Sequence, residues 1–311
     1  AQLTIIQEAL TSGEAFNNGF KTAWRADCTT STTPASGERL ELQYKMEAQD
    51  CSLFKSGTSN AQKFTLAFWV KSSYTGAAQV NLYNADSSPN RVCGATYTIS
   101  SANTWEHKVL NFAADTSNGF NDDTGWGLGI YFMLAAGSNY TSGSVPTAWE
   151  SYSAADFAAG GTPALSSNTA NDWAITGVQL EIGEFSSTTL PPFQHESYGD
   201  NLARCQRYFY RMANENKALA TFSYYSSGRV EAGVHFPVTM RNQPSLVVTS
   251  GSSYHRVQRN GGDNNLNDFT AGSVGLTTAS IYNTDEASGT AGHAGYGYTR
   301  GSGFVSWDAE L

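Results

Sequence analysis

Apolar and polar residues alternate with a period of two through much of this chain, the spacing of strands that bury one face. Residues 63–71 (KFTLAFWVK) place Phe64, Leu66, Phe68 and Val70 on one side and predict a half-buried strand. Residues 78–83 (AQVNLY) predict another, and Tyr97 and Ile99 lead into a turn at residues 101–103. In 104–112 (TWEHKVLNF), Trp105, His107, Val109 and Asn111 alternate with Glu106, Lys108, Leu110 and Phe112. Residues 127–134 (GLGIYFML) are apolar throughout, as in a strand buried on both faces. Asp172–Ile182 carries Trp173, Ile175, Val178, Leu180 and Ile182, and the change of parity at Gly177 predicts a β-bulge.

Between these strands the chain is rich in Gly, Ser and Asn, and strands at short intervals with such turns predict a β-sandwich. Residues 135–170 read as a long polar loop with room for short strands, and loops on rigid sandwiches often carry binding. Residues 186–193 (SSTTLPPF) hold two of the eight prolines and read as an extended linker. In the segment that follows, Asp200 is placed to cap a short helix, with Leu202, Cys205, Phe209 and Met212 at helical spacing. The tail returns to alternation at 229–240 and 245–249, passes Gly/Asn-rich stretches near Gly261 and Gly289, and ends on an apolar segment at 303–311. The expected organisation is all-β: a sandwich over residues 1–190, then a smaller β-rich domain over residues 193–311.

Composition supports this and narrows the partners. Of 311 residues, 40% are hydrophobic, 13% aromatic and only 14% charged, against the pattern of a disordered chain. The formal net charge of -9 disfavours a nucleic-acid backbone or an anionic membrane surface as partner, and leaves neutral polar ligands such as sugars open. No apolar run approaches the length of a transmembrane helix, so membrane insertion is not expected. No signal peptide opens the chain; its first residue is Ala, read as a segment of a longer polypeptide or a processed start. Cys28, Cys51, Cys93 and Cys205 are far apart and lack the CxxC spacing of a zinc site. Cys28 and Cys51 would suit a disulfide if their strands are neighbours; otherwise all four are reduced, mostly buried thiols.

Three separated strings carry a family resemblance: GVQLEIG (177–183), LPPF (190–193) and NLARCQRYFYR (201–211). In that order they resemble a join found in phage tail-fibre and virion structural proteins, where a QLE-G strand and linker lead into a CQRYY segment. Gln179, Leu180, Glu181, Gly183, Phe193 and Cys205 to Tyr208 match, and Phe209 replaces the usual second Tyr. FPVTMRNQPS (236–245) and the terminal DAEL resemble the family's tail. The upstream half is similar to a carbohydrate-binding-module jelly roll through TLAFWVKSS (65–73), TWEHKVLNF (104–112) and ITGVQLEIG (175–183). Thr176 and Gly177 stand where many such modules carry an Asp near a structural calcium, so a metal is left unassigned. The resemblance implies a jelly-roll sandwich, a homotrimer, other virion proteins as partners, and assembly into a virion.

No catalytic motif is present: no GxSxG elbow, HExxH or phosphate loop. His107, His195, His235, His255 and His293 are scattered. Asp122–Asp123 and Asp263/Asp268 are candidate acids for glycan hydrolysis, but both sets sit among Asn and Gly and read as solvated loops. A non-enzyme without cofactor is expected. Aromatic rings are the stronger clue, because Trp and Tyr stack on sugar faces while amides bond the hydroxyls. Trp126, Tyr131, Tyr140, Trp149 and Tyr152 lie in or beside loops of the first domain and are the candidate carbohydrate ligands; for Trp149 and Tyr152, which lie in the polar loop, the other role would be to pin that loop onto the sandwich. Trp69, Trp105 and Trp173 belong to the core. Arg204, Arg207 and Arg211, with Tyr208 and Phe209, are candidates for an oligomer interface, or for ion pairs within one chain. The reading is a tail fibre or receptor-binding protein for a host-surface glycan. The competing readings are a non-binding head fibre or capsid decoration protein, and a glycan depolymerase.

Overall fold

The computed structural model describes residues 1–251 and 253–311. The chain separates into two compact units, Ala1–Gln194 and His195–Leu311.

The first unit is a sandwich of two five-stranded antiparallel sheets. Its elements are β1 (Gln2–Ala9), α1 (Glu14–Asn17), β2 (Thr22–Thr30), β3 (Arg39–Glu47), β4 (Phe64–Ser72), β5 (Gly76–Asn84), β6 (Arg91–Ile99), β7 (Glu106–Phe112), β8 (Trp126–Ala136), β9 (Glu150–Ser151) and β10 (Asp172–Ile182). One sheet has the order β1-β2-β10-β4-β7 and the other β3-β8-β5-β6-β9. The chain crosses between them repeatedly, as in a jelly roll. Alternation decides which residues meet inside: Phe64, Leu66, Phe68 and Val70 of β4 face Val80 and Leu82 of β5 and Leu128, Ile130, Phe132 and Leu134 of β8 in one core with Trp173.

β4 is buried on both faces along almost its whole length, where alternation predicts one. The reason is a second layer outside its sheet, in which Trp69 and Trp105 pack with Leu10, Ala15 and Phe20 from the segment around α1. The bulge in β10 is present: register with β4 shifts between Thr176 and Gln179, and Gly177 takes φ 58°, a left-handed conformation. A Cβ there would also strike the Phe20 ring. Residues 186–193 do not swing free as a linker. Phe193 packs edge-on against Phe20 at 4.9 Å, and Gln179 Nε2 donates to the Pro191 carbonyl at 3.1 Å.

The second unit consists of α2 (Tyr198–Tyr208), β11 (Phe209–Asn214), β12 (Ala218–Ser226), β13 (Arg229–His235), β14 (Ser245–Val248), β15 (His255–Arg259), β16 (Gly262–Leu266), β17 (Thr270–Gly272), β18 (Thr278–Asn283), β19 (Ala294–Thr299) and β20 (Phe304–Asp308). A seven-stranded antiparallel sheet, β16-β15-β19-β12-β13-β18-β17, and a three-stranded one, β11-β20-β14, enclose a core that includes Phe222, Tyr224, Val234, Ile281 and Trp307. The helix begins earlier than Asp200. Ser197 is the N-cap: its Oγ accepts from the Asp200 amide at 3.2 Å and donates to the Asp200 carboxylate at 2.6 Å. It also ends before Met212, because Phe209 onward pairs with β20.

All four cysteines are free; Cys28, Cys51 and Cys93 are buried and Cys205 is exposed. No helix among the described residues is long and apolar enough to cross a membrane.

Candidate functional site

The outer face of the β3-β8-β5-β6-β9 sheet carries an aromatic layer. On β5, the residues that do not enter the core are Gln79, Asn81 and Tyr83; on β8 they include Gly129, Tyr131 and Met133. Tyr83 stacks on Trp126 (centroids 5.5 Å, 26°) and meets Tyr131 and Tyr152 edge-on, both at 5.6 Å. Trp126 lies 6.1 Å from Tyr131. Phe157 closes the layer against Tyr131 and Tyr152, both at 5.2 Å. Gly129 makes room for it: a Cβ there would lie 2.7 Å from the Tyr131 ring and 3.1 Å from that of Trp126.

Polar groups border the rings. Arg39 of β3 lies over Tyr140 (5.1 Å) and Phe157 (5.2 Å), pairs with Glu41 at 2.7 Å and donates to the Tyr152 hydroxyl at 3.2 Å. Burial works against the Arg39 charge, but Glu41 and Tyr152 outweigh it and hold the guanidinium above its ordinary value. Lys45 sits 4.5 Å over the Trp126 ring. Asn90 donates to the Tyr83 hydroxyl, and Gln43 is exposed at the margin. Burial raises the Tyr131 phenol, and it raises that of Tyr152 against the opposing pull of Arg39. The phenols therefore stay neutral, able both to donate and to accept hydrogen bonds.

Four of the five sequence-predicted residues thus meet. Trp126, Tyr140 and Tyr152 are half-buried and reach the surface, while Tyr131 is 3% exposed and forms the floor. Trp149 is not among them. Its context reads as a polar loop, yet it is 8% exposed and belongs to the sandwich core. Its indole Nε1 donates to the Ala113 carbonyl at 2.7 Å, and Arg91, paired at 3.0 Å with the buried carboxylate of Asp115, donates to the Trp149 carbonyl at 2.7 Å. Tyr83, Arg39, Lys45 and Phe157 were missed. Tyr83 had a signal: it shares the parity of Gln79 and Asn81, opposite Val80 and Leu82.

The long loop lies on the same face, held by buried amides. Gln79 and Asn81 are fully buried; Asn81 Nδ2 donates to the Phe157 carbonyl at 2.8 Å, Gln79 Nε2 to the Asp156 carbonyl at 2.9 Å, and the Gly160 amide to Gln79 Oε1 at 2.7 Å. Pinning the loop is therefore a role that Tyr152 and Phe157 share with these amides.

In the second unit, Arg204 pairs with Glu196 at 2.6 Å, Arg207 donates to the Thr239 carbonyl at 3.4 Å, and Arg211 covers Phe304 at 4.6 Å and Phe209 at 5.4 Å. Tyr208 ends α2 and its carbonyl accepts from the Ala309 amide at 2.8 Å. α2 has no buried residue, and Tyr198 is 82% exposed. Asp123 accepts from the Gly125 amide at 2.8 Å, Asp122 is exposed, Asp263 pairs with Arg256, and Asp268 accepts from Ser250 at 3.2 Å. Among the described residues, no three His, Cys, Asp or Glu side chains cluster as metal ligands would.

No protein-family model and no curated protein matches the sequence. Among solved structures, the chain is similar to the enzymatically active domain of tailspike protein 4 of bacteriophage CBA120, at 13% identity and TM-score 0.31, covering 58% of this chain and 18% of that one. It is also similar, at 12% identity and TM-score 0.29, to a candidate sugar-binding protein from Bacteroides thetaiotaomicron VPI-5482, covering 58% of this chain and 82% of that one. The chain thus spans less than a fifth of the tailspike domain's length.

Proposed function

We propose that the first unit is a glycan-binding module and that the chain belongs to a phage virion appendage, such as a tail fibre or receptor-binding protein, that reads a host-surface glycan. The observation that carries the binding reading is the half-buried band of Tyr83, Trp126, Tyr140 and Tyr152 on one sheet face, bordered by Arg39, Lys45, Gln43 and Asn90. Aromatic rings offer apolar faces to pyranose C–H groups, and the margin supplies donors and acceptors for hydroxyls. Such contacts are weak singly and gain by repetition on an oligomer, by a factor of about 10² to 10⁴. The homotrimer and the virion location rest on the sequence resemblance. Glu41 beside the rings is held in an ion pair with Arg39, and binding without hydrolysis is the reading we favour.

The test is a glycan array and host-cell binding assay on the full chain beside Trp126→Ala, with solution mass recorded. Binding that falls at least tenfold in the variant supports the proposal. Binding to no glycan or cell surface by a stable oligomer moves the assignment to a structural virion protein, and loss of polymer viscosity on incubation moves it to a depolymerase.

A further inference from the structure

The seven-stranded sheet of the second unit has an outer face that the core does not use. Strict alternation sends Phe222, Tyr224, Val230, Ala232, Val234, Ala279 and Ile281 inward and leaves their neighbours outside. In the middle of that face the outward residues are small: Thr221 and Ser223 on β12, Gly233 on β13 and Ser280 on β18. Register places them in rows. Tyr296 pairs with Thr221, Ser223 with Glu231, Glu231 with Tyr282, and Gly233 with Ser280. A Cβ built on Gly233 meets nothing within 4 Å, so the centre of the face is open.

Rings stand on either side of this floor. On β19, Tyr296 is 52% exposed and lies 6.0 Å from Tyr298. On β18, Tyr282 is covered by the Arg229 guanidinium at 4.2 Å. β19 and β18 are three strands apart, about 14 Å at the usual spacing between strands. The face is thus a shallow trough whose Ser/Thr/Gly floor is crossed on β13 by the ion-paired Arg229 and Glu231, with tyrosines on either side.

We propose that this trough is a second, independent carbohydrate site, which takes an extended neutral oligosaccharide across β12, β13 and β18. Three features select that ligand. The charges on the face are already paired, Arg229 with Glu231 at 2.9 Å and Arg256 with Asp263, so no net charge is offered to a phosphate chain or an acidic polymer. The floor and walls carry no Leu, Ile, Val, Met or Phe, whereas the core of a stable protein–protein interface is apolar. Side-chain hydroxyls flanked by tyrosine rings match a ligand with hydroxyls around its rim and C–H groups on its faces. The site does not depend on the aromatic face of the first unit.

The two are separated by affinity electrophoresis of the full chain in gels that contain dextran, a soluble β-1,3-glucan or a galactomannan. Trp126→Ala disables the first-unit face. In that background retardation by at least one polymer should persist, and should fall at least tenfold on adding Gly233→Gln, which fills the trough without removing a native side chain. Tyr296→Ala should reproduce the loss, and guards against misfolding of the Gly233 variant. Three results would overturn the proposal: retardation abolished by Trp126→Ala alone, no retardation by any of the three polymers, or Gly233→Gln changing the solution mass and not the mobility shift. The last would identify the face as a contact between copies of the chain.

Discussion

Gln79 and Asn81 lie two residues apart on β5, both wholly buried, and Gln79 Nε2 donates to Asn81 Oδ1 at 2.7 Å. Gly94 on β6 leaves the space for them, since a Cβ there would sit 2.7 Å from Asn81 Oδ1 and 3.0 Å from Gln79 Nε2. The pair holds the carbonyls of Asp156 and Phe157, and so the loop that carries Tyr152. Asn81→Leu should leave the Phe157 carbonyl and part of the Gln79 amide unsatisfied, and destabilise the protein by about 1–3 kcal/mol. Denaturant unfolding measures the loss, and limited proteolysis should cut first within residues 138–161. Unchanged protection of that loop would mean that the aromatic contacts alone hold it.

Trp126 and Trp149 should separate binding from stability. Trp149→Ala empties a core position and strands the Ala113 carbonyl, at a cost of about 3–5 kcal/mol. Trp126→Ala should weaken glycan binding with a much smaller change in unfolding midpoint. Melting curves recorded with the binding assay check both, and equal midpoints for the two variants would contradict the assigned positions.

The thiols should divide by burial. Burial pushes Cys51 up to about 12 and Cys93 up to about 11, and both are enclosed. At pH 8 a maleimide should label Cys205 quickly and the three buried cysteines only on unfolding. The same shifts carry a stability consequence. The folded values lie above the ordinary 9.0, so their contribution is complete below about pH 9 and disappears as pH rises toward 11 and 12. The unfolding midpoint should fall across that window, and less steeply in Cys51→Ala.

At the acid end the second unit should respond through His255. It is fully buried, its Nε2 bonds the Thr249 carbonyl at 2.9 Å, and burial holds its pKa below the ordinary 6.5 despite the opposing pull of Thr249 and Asp268. A depressed value means stability that is present above pH 6.5 and lost as pH falls through and below it. His255→Gln keeps a donor for Thr249 and should flatten the acid limb. An identical limb in wild type and variant would show that the histidine does not titrate on unfolding.

Much of the first unit was legible because the apolar pattern marks its strands: β5 alternates in sequence, β8 is apolar throughout and buried on both faces, and β10 changes parity at the Gly177 bulge. β1 was not legible for a physical reason: residues 2–9 lie at a sheet edge with Ile5 51% and Ile6 38% exposed, so no core imposes a period on them. β3 does alternate, through Leu40, Leu42 and Met46, and its outward set contributed Arg39 and Lys45 to the candidate face. Trp149 was misplaced because its partners, Arg91 and Ala113, are distant in sequence, and local polarity says nothing of them. In the second unit the tyrosines of β18 and β19 alternate with core residues, but only the sheet order shows that they flank one floor.

The loop between β8 and β10 is ordered by the protein's own side chains, with its backbone tied to Gln79, Asn81 and, through Pro146, to the Gly94 amide at 2.7 Å. Its conformational entropy is therefore lost once, when the chain folds, and not again when a ligand arrives. A sugar settling on Tyr83, Trp126 and Tyr152 would meet rings already in position, so association should be fast and show little heat-capacity change beyond that of the area it covers.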